Sequence, residues 1–282
     1  MPAPSVLIAG CGDIGSRLAG QLQAHEWTVY GLRRDTSLLP AGVIPVKGDL
    51  FDWLEPEGWP TGTIDYLVYC ATPTQRDEWG YRRAYVDGLA QVLIWMKQHQ
   101  QRPRRIVFVS SSGVYGQQHG EWIDETSATE PGSFSGNVML EAERVALNSG
   151  FPATVVRLTG IYGPGRNDLS NRVRQGQSVQ IDPPVYANRI HADDAAGLLA
   201  FLLLADARGV ALDDCYLGVD DDPAALGDVV AWMREYLGVT EWSDEVGVRR
   251  AGSKRCSNAR ARALGWVPRY PDYRAGYAAL LG

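Results

Sequence analysis

Three glycines near the start of the chain have the spacing of a phosphate-binding turn. Gly10, Gly12 and Gly15 follow an apolar run from Val6 to Ala9, and this run predicts a buried strand. An apolar residue then recurs at every fourth position from Ile14 onward, which predicts a helix directly after the turn. Strand, glycine turn and helix in this order form the G-x-G-x-x-G fingerprint of dinucleotide binding.

Glycine is needed at each of these three positions for a different physical reason. Gly10 permits the tight turn, Gly12 lets the backbone approach a pyrophosphate, and Gly15 lets the helix pack closely against the strand. The helix N-terminus, with Asp13 and Ile14 in its first turn, offers free N–H groups and a positive dipole end to the phosphates. We therefore expect a bound dinucleotide with these five residues among its contacts.

The end of the second predicted strand indicates which dinucleotide is bound. This strand runs from Trp27 to Leu32 and is followed by Arg33, Arg34 and Asp35. In dinucleotide-binding folds a carboxylate at this place accepts from the ribose hydroxyls, whereas an arginine pairs with a 2′-phosphate. Because Arg33 stands there, we favour NADP over NAD. Asp35 is the alternative, which requires the strand to be two residues longer.

Two further strands are expected to reach the same site. The segment from Val43 to Leu50 predicts a third strand whose end delivers Asp49 and Leu50 towards the adenine. The apolar run from Tyr66 to Ala71 predicts a central parallel strand, with Thr72 directly after it. The carboxyl ends of such strands are where cofactor sites in open α/β sheets form. Further along, we expect a long helix from about Trp79 to Gln100.

The composition excludes several classes of protein. The chain has 282 residues and a net charge of −6 with no basic tract, which argues against nucleic acid and anionic lipid as partners. It contains no apolar run long enough to span a membrane. Its four cysteines are scattered, which favours a reducing compartment, the cytoplasm, and excludes a disulfide framework or a metal site. These are Cys11, Cys70, Cys215 and Cys256.

Later blocks of the chain carry a family resemblance. Ser-Ser-Ser-Gly-Val-Tyr-Gly occupies 110–116, Arg-Leu-Thr-Gly-Ile-Tyr-Gly-Pro-Gly occupies 157–165, and Asn-Arg-Ile-His-Ala-Asp-Asp occupies 188–194. Together with the glycine turn, these blocks resemble the extended short-chain dehydrogenase/reductases of the NAD-dependent epimerase/dehydratase family, over about residues 5–204. The chain is most similar to an atypical subgroup, the YeeZ-like proteins.

This resemblance implies an architecture and an assembly. It implies a doubly wound parallel-sheet Rossmann domain, formed by residues 1–166 and 185–215, that binds NAD(P). A small discontinuous α/β lobe, residues 167–184 and 216–282, is then expected to bind a small-molecule substrate. Family members commonly dimerise through two long helices, so a homodimer is one assembly open to this chain.

The resemblance also assigns catalytic positions, of which two are altered. The family's Ser or Thr that bonds the substrate oxygen corresponds to Ser111. The block that should supply a catalytic tyrosine and lysine corresponds to 131–143, where Ser135 takes the tyrosine position and Met139 the lysine position. A serine hydroxyl is far less acidic than a phenol, and methionine brings no charge that would lower its pKa. Ser135 therefore does not simply inherit the tyrosine's role.

Another group must then move the proton, or the chemistry has been lost. Tyr115 is one candidate, and the others are Tyr162, His119, Asp124 and Glu125. The sequence thus leaves two functions open. The first is an NAD(P)-dependent epimerase/dehydratase-like or reductase-like oxidoreductase with an altered acid/base. The second is a catalytically idle protein that binds NADP as a sensor or binding module.

The family's usual substrates are nucleotide-linked sugars, whose phosphates need cationic partners. The resemblance places this substrate against the second lobe and the segment that precedes it. Candidate cations there are Arg172, Arg174, Lys254 and Arg255.

Overall fold

The computed structural model describes residues 3–243 and 252–282. The chain divides into two compact units. The first unit consists of Met1–Val114, Pro131–Arg157 and Ala196–Tyr216. The second unit consists of Tyr115–Glu130, Leu158–Ala195 and Leu217–Gly282. The predicted division into a cofactor domain and a substrate lobe concerns what each part binds, and it stays a prediction.

The strands, in chain order, are β1 Ser5–Ala9, β2 Thr28–Arg33, β3 Ile44–Lys47, β4 Tyr66–Tyr69, β5 Arg105–Ser111, β6 Glu121–Ile123, β7 Ala153–Leu158, β8 Gly160–Tyr162, β9 Arg189–His191, β10 Cys215–Gly218 and β11 Lys254–Cys256. The α-helices are α1 Asp13–Gln23, α2 Glu78–Arg82, α3 Gly88–Gln98, α4 Phe134–Leu147, α5 Asp168–Arg174, α6 Ala192–Ala207, α7 Leu226–Leu237, α8 Ala259–Leu264 and α9 Tyr273–Leu281.

A seven-stranded sheet dominates the fold. Its strands lie in the order β10-β7-β5-β4-β1-β2-β3, and the pairs β1–β2, β1–β4, β2–β3 and β4–β5 are parallel. Every residue of β1 and β4 is buried, as their continuous apolar runs predict for central parallel strands. The chain reverses its direction across the sheet between β1 and β4. Such a switch point opens a crevice at the carboxyl ends of the strands, and the predicted doubly wound α/β class is confirmed.

The helix predicted from about Trp79 to Gln100 exists, but it contains a different kind of turn. Between α2 and α3, residues Arg83–Asp87 form a π-helical segment. The buried Tyr69 hydroxyl donates a 2.5 Å hydrogen bond to the carbonyl oxygen of Ala84, within this segment. This bond comes from a neighbouring strand, so no periodicity in the helix sequence could have predicted it.

The second unit contains two small parallel strand pairs, β6 with β11 and β8 with β9. Its apolar core joins α5, α7 and α9 to β8. The buried residues of that core are Tyr162, Val173, Val229, Val230, Met233, Tyr273 and Tyr277. The sequence from Ala224 to Leu237 predicts a helix, and this helix is present as α7, Leu226–Leu237.

One predicted helix start is wrong. The sequence predicts a helix from Ala195 with Asp193 and Asp194 as its caps, but α6 already begins at Ala192. Asp194 is buried and accepts the backbone N–H groups of Arg269 and Tyr270, at 2.6 and 2.9 Å. Its carboxylate therefore holds a distant chain segment instead of capping its own helix.

No helix among residues 3–243 and 252–282 combines the length and apolar character that crossing a membrane requires. Within the same residues, His, Cys, Asp and Glu side chains form no group that could hold a metal ion.

Candidate functional site

The glycine turn joins β1 to α1 in the first unit and has the conformation that its sequence predicts. Gly10 has φ +85°, and a Cβ there would lie 2.4 Å from the Cα of Ala71, next to the end of β4. A Cβ on Gly15 would lie 3.0 Å from Ile8 Cγ2 and 3.2 Å from Cys70 Sγ. Two of the three glycines are therefore required by close backbone and side-chain packing.

Gly12 differs, because none of the residues that the structure describes fills the space beside it. The nearest heavy atom to a Cβ built there is Gly10 O, at 3.9 Å. Gly12 is exposed, and as the N-cap of α1 it supplies no side-chain hydrogen bond to the helix. The first-turn N–H groups thus face an open cradle that a side chain would fill, which is the arrangement that a pyrophosphate needs.

The two residues at the start of α1 have different environments. Asp13 is exposed, and its Oδ1 accepts a 2.8 Å hydrogen bond from Arg17 Nε. The Asp13 carboxylate is therefore paired with an arginine one helical turn further along α1. Ile14 is buried and packs into the first unit.

Two arginines lie at the end of β2. Arg33 closes the strand and is half-buried, and its Nη1 donates to the carbonyl oxygens of Cys11 at 3.0 Å and Leu38 at 3.3 Å. This places its guanidinium beside the glycine turn. Arg34 is exposed, and its Nη1 lies 3.9 Å from Asp49 Oδ2. Both cations therefore lie at the carboxyl edge of the sheet.

The longer strand that the alternative at Asp35 requires is not present, because β2 ends at Arg33. Asp35 instead caps a short turn, and its Oδ1 accepts from Ser37 N at 3.1 Å and Ser37 Oγ at 2.6 Å. These hydrogen bonds from Ser37 lower the pKa of the Asp35 carboxyl.

The remaining predicted cofactor residues follow β3 and β4. The third strand ends at Lys47, earlier than predicted, and Asp49 Oδ1 accepts the backbone N–H of Phe51 at 3.0 Å. Leu50 and Ala71 are buried, whereas Thr72 is exposed. Because β1 to β4 are neighbours in one parallel sheet, their ends bring all of these positions to one edge of the first unit.

Ser111 is the last residue of β5. It is half-buried, and its Oγ accepts the backbone N–H of Gly113 at 3.1 Å. The first turn of α4 approaches this loop closely, since a Cβ on Gly136 would lie 2.5 Å from Gly113 O. The structure therefore brings the turn that carries Ser135 to the loop that follows Ser111.

The tyrosine and lysine positions of α4 carry no replacement acid/base pair. Ser133 caps the helix by accepting Gly136 N at 3.2 Å, and its Oγ lies 3.1 Å from Ser135 Oγ. Met139 is only 4% exposed and belongs to the core. A hydroxyl pair and a buried thioether thus stand where the family has a phenol and an ammonium.

A buried ion pair behind Ser111 was missed by the sequence analysis. Glu143 Oε1 accepts from Ser110 Oγ at 2.6 Å and from Arg157 Nε at 2.9 Å, while its Oε2 accepts from Arg157 Nη2 at 2.7 Å. The three side chains link α4, β5 and β7 inside the first unit. The available signal was an arginine directly after two valines of a fully buried strand, because a buried charge requires a partner.

Tyr115 lies in the second unit and is only 3% exposed. Its backbone carbonyl accepts a 2.9 Å hydrogen bond from Nζ of the buried Lys254.

The cations predicted to bind substrate phosphates also lie in the second unit. Arg255 donates from Nε to Gly120 O at 2.8 Å. Arg172 and Arg174 are exposed on α5. Of the four cations predicted to bind substrate phosphates, Lys254 thus has its ammonium group bonded to a backbone carbonyl.

The other proton-transfer candidates have structural contacts in the second unit. Tyr162 is buried, its ring packs edge-on against His191 at 5.3 Å, and burial raises the pKa of its hydroxyl. Glu125 accepts the backbone N–H of Leu217 at 2.7 Å. Asp124 accepts from Thr126, and these bonds lower its pKa. His119 is exposed.

Comparison with known proteins agrees with this geometry. The sequence profile of the NAD dependent epimerase/dehydratase family matches residues 6–213. A solved structure from Methylobacillus flagellatus with the same family description is 34% identical, with a TM-score of 0.79 over 99% of this chain and 97% of that chain. No curated protein matches the chain.

More distant structures share the fold. UDP-glucose 4-epimerase from Thermotoga maritima, solved with UDP-glucose, is 17% identical, with a TM-score of 0.76 over 99% of this chain and 100% of that chain. UDP-glucose 4-epimerase from Thermus thermophilus, solved with NAD, is 20% identical, with a TM-score of 0.77 over 96% of each chain.

A glycine turn at the switch point of a parallel sheet is the arrangement typical of dinucleotide-binding α/β proteins. The chain belongs to the NAD-dependent epimerase/dehydratase family.

Proposed function

We propose that this protein is an NADP-dependent, epimerase/dehydratase-like or reductase-like oxidoreductase of the YeeZ-like subgroup, acting in the cytoplasm on a small carbonyl or nucleotide-sugar-like substrate. The observation that carries the proposal is the open cradle at Gly12, together with an arginine at the end of β2. Family membership supports a nicotinamide cofactor, and two epimerases of the same fold contain UDP-glucose or NAD.

The cofactor contacts are proposed from the first unit alone. The glycine turn and the N-terminus of α1 hold the pyrophosphate, and the ends of β2 and β3 hold the adenosine half. The proposed residues are Gly10, Gly12, Asp13, Ile14, Gly15, Arg33, Arg34, Asp49, Leu50, Ala71 and Thr72. When bound, the nicotinamide supplies hydride exchange with the substrate.

The preference for NADP rests on charge at the end of β2. A 2′-phosphate adds negative charge where two guanidiniums lie and where Asp35 is already committed to Ser37. Arg33 is held by two backbone carbonyls, so its cation is oriented before any ligand arrives. An oriented arginine loses less conformational entropy when it binds a phosphate.

Ser111 is proposed to orient the substrate oxygen by a hydrogen bond. Ser135 shares its helix turn with the cap hydroxyl of Ser133, and a chain of two hydroxyls can pass a proton between substrate and water. Tyr115 is the alternative proton donor. Arg172 and Arg174, exposed on α5, are proposed partners for substrate phosphates.

A second function is favoured by one observation. Met139 is buried in the core at the position where the family uses a lysine, so the family's acid/base pair has been replaced by packing. A protein that binds NADP without turnover, as a sensor or binding module, is consistent with this replacement.

Calorimetric titration with NADP and NAD tests the cofactor proposal. We expect NADP to bind more tightly, and Arg33→Asp to weaken NADP binding while sparing NAD. Arg144→Asp is the charge-matched control, because Arg144 is exposed in the last turn of α4. Equal loss of both cofactors in Arg33→Asp would refute the assignment of this arginine to the 2′-phosphate.

Turnover separates the two functions. NADPH oxidation is followed against a panel of small carbonyl compounds, and conversion of UDP-sugars is followed by chromatography, because epimerisation and dehydration return the hydride to the substrate and consume no NADPH. Turnover with any member establishes an oxidoreductase, and Ser111→Ala is then expected to reduce kcat. Tight NADP binding without turnover over the panel favours the sensor.

A further inference from the structure

The first unit contains a cavity of about 150 Å³ that no sequence motif predicted. One side of it is formed by residues 50–53, which follow β3, and the other by side chains of α2, of α3 and of the π-helical segment between them. A cavity of about this volume holds one benzene ring, so it accommodates a small ligand. Of the residues that line it, only Leu50 also belongs to the proposed cofactor site.

The helical side of the cavity depends on the π-helical segment. Its residues are Trp79, Arg83, Asp87 and Gln91, which recur at every fourth position. In an α-helix such positions drift around the axis by about 40° per step, because one turn takes 3.6 residues. The wider turn at Arg83–Asp87 reduces this drift and brings all four side chains to one cavity. π-helical turns inside α-helices are frequent at functional sites.

Arg83 is the one cation among the described residues that line the cavity, and it is already bound by the protein. Its Nη2 donates a 2.9 Å hydrogen bond to Phe51 O. Its guanidinium carbon lies 5.3 Å from the ring centroid of Phe51 and 4.9 Å from that of Trp79. The guanidinium is thus held against two aromatic rings as part of the cavity wall.

The other polar side chains of the lining bring three acceptor groups. Gln91 is 6% exposed, and its Oε1 is buried without a hydrogen-bond donor among the described residues. A buried acceptor without a donor costs free energy, and a ligand that donates to it removes this cost. Asp52 and Asp87 are exposed and bring two carboxylates to the same cavity.

This lining favours a ligand that carries a positive charge and several donors. A primary ammonium group has three N–H donors and no acceptor. Two carboxylates outnumber one guanidinium, so the lining attracts a cation and repels a carboxylate or a phosphate. Trp53 and Trp79 are 73% and 59% exposed, and they offer apolar surface to the rest of such a ligand.

We propose that this cavity binds a small primary amine with an apolar or aromatic body. Asp87 and Gln91 lie about one turn apart on the same helix face, so one ammonium group donates to both the Asp87 carboxylate and Gln91 Oε1. The body of the amine packs against the exposed ring of Trp79. The proposal depends neither on the cofactor nor on the reaction.

Saturation-transfer NMR on the full chain at pH 7 tests the proposal. The probe is benzylamine, with benzyl alcohol as its neutral counterpart and benzoate as its anionic one. We expect saturation transfer to benzylamine, a Kd about tenfold higher for benzyl alcohol, and no transfer to benzoate. Asp87→Asn and Gln91→Leu are each expected to raise the Kd of benzylamine about tenfold, because each removes one acceptor of the ammonium group.

Glu78→Gln is the matched control for Asp87→Asn, because it removes an exposed carboxylate of α2 that does not line the cavity. It should leave the Kd of benzylamine unchanged. Urea unfolding of each variant separates lost binding from lost folding.

Three results would overturn the proposal. The first is that benzylamine does not bind, or binds no more tightly than benzyl alcohol. The second is that Glu78→Gln and Asp87→Asn raise the Kd equally. The third is that NADP displaces benzylamine, which would assign the cavity, through Leu50, to the adenosine half of the cofactor site.

Discussion

Gly10 and Gly12 belong to one motif, but the structure gives them different surroundings. A side chain on Gly10 would collide with the backbone of Ala71, whereas one on Gly12 would project into open space. We therefore expect the first glycine to be needed for folding, whereas we propose that the second is needed for cofactor binding. Two substitutions can separate the structural requirement from the proposed functional one.

We expect Gly10→Ala to destabilise the protein by about 2 kcal/mol or more, because it combines a backbone collision with an unfavourable positive φ. Gly12→Val should cost about 1 kcal/mol or less, the loss of a favourable N-cap residue. It should nevertheless abolish calorimetric binding of NADP and NAD. Urea unfolding provides the stabilities. Full cofactor affinity in Gly12→Val would show that the pyrophosphate does not lie over this residue.

The glycines could be predicted because their role is local, whereas the contacts of Arg33 could not. Its place at the end of β2 follows from the strand pattern, but its bonds to Cys11 and Leu38 depend on how two loops meet. Asp35 shows the same limit. Whether that carboxylate faced a ligand or capped a turn depended on where the strand ended, which a repeating pattern locates only to within a few residues.

At the scale of elements, the Glu143 cluster fixes α4 against β5 and β7. Its carboxylate accepts three charge-assisted hydrogen bonds in the buried interior. Removing one partner of such a pair leaves an uncompensated buried charge. The end of β5 carries Ser111, so the same cluster also holds the strand from which this hydroxyl projects.

Glu143→Ala is expected to lower the free energy of unfolding by about 3 kcal/mol or more, because it leaves the buried Arg157 guanidinium without its carboxylate partner. Glu143→Gln keeps the shape and the bond to Ser110, and should cost less. The control is Glu141→Ala on the same helix, which breaks an ion pair with the exposed Arg82 and should have little effect. Urea unfolding measures the loss of stability in each of the three variants and so gives the order of these losses. Equal losses of stability in Glu141→Ala and Glu143→Ala would contradict the expectation that burial makes the Glu143 ion pair the more important one.

The elements themselves were predicted where their periodicity was strong and local. The strand β1, the helix α1 and the strand β4 follow from apolar runs and a regular stripe. The π-helical segment and the early start of α6 were missed because each depends on a partner far away in sequence. Tyr69 bonds Ala84 from a neighbouring strand, and Asp194 is bound by Arg269 and Tyr270.

At the scale of the whole molecule, one buried carboxylate makes the stability depend on pH. Asp220 is 2% exposed, and both of its carboxylate oxygens lack a hydrogen-bond partner among the described residues. Burial raises the pKa of this carboxyl to about 8, although the nearby Arg189 guanidinium partly opposes the shift. In the unfolded chain the same carboxyl has a pKa of about 4.

The sign follows from the two pKa values. Between about pH 4 and pH 8, the folded protein keeps a proton on Asp220 that the unfolded chain has released. The contribution of Asp220 to stability is therefore fully present below about pH 4 and is lost as the pH rises through 8. Between these two pKa values the contribution of Asp220 to the free energy of unfolding falls by about 1.4 kcal/mol per pH unit. Carboxyls with lowered pKa values, such as Asp35 and Asp124, act in the opposite direction at lower pH.

Comparison with Asp220→Asn isolates this effect from all other titrating groups. The amide cannot ionise, so the variant should lack the loss of stability that the native protein shows between pH 5 and pH 8. Urea unfolding at several pH values should give two curves that separate steadily as the pH rises, with the variant the more stable at pH 8. Parallel curves would mean that Asp220 is already ionised in the folded protein, with its charge balanced by Arg189. The second unit would then contain a buried ion pair in place of a buried acid.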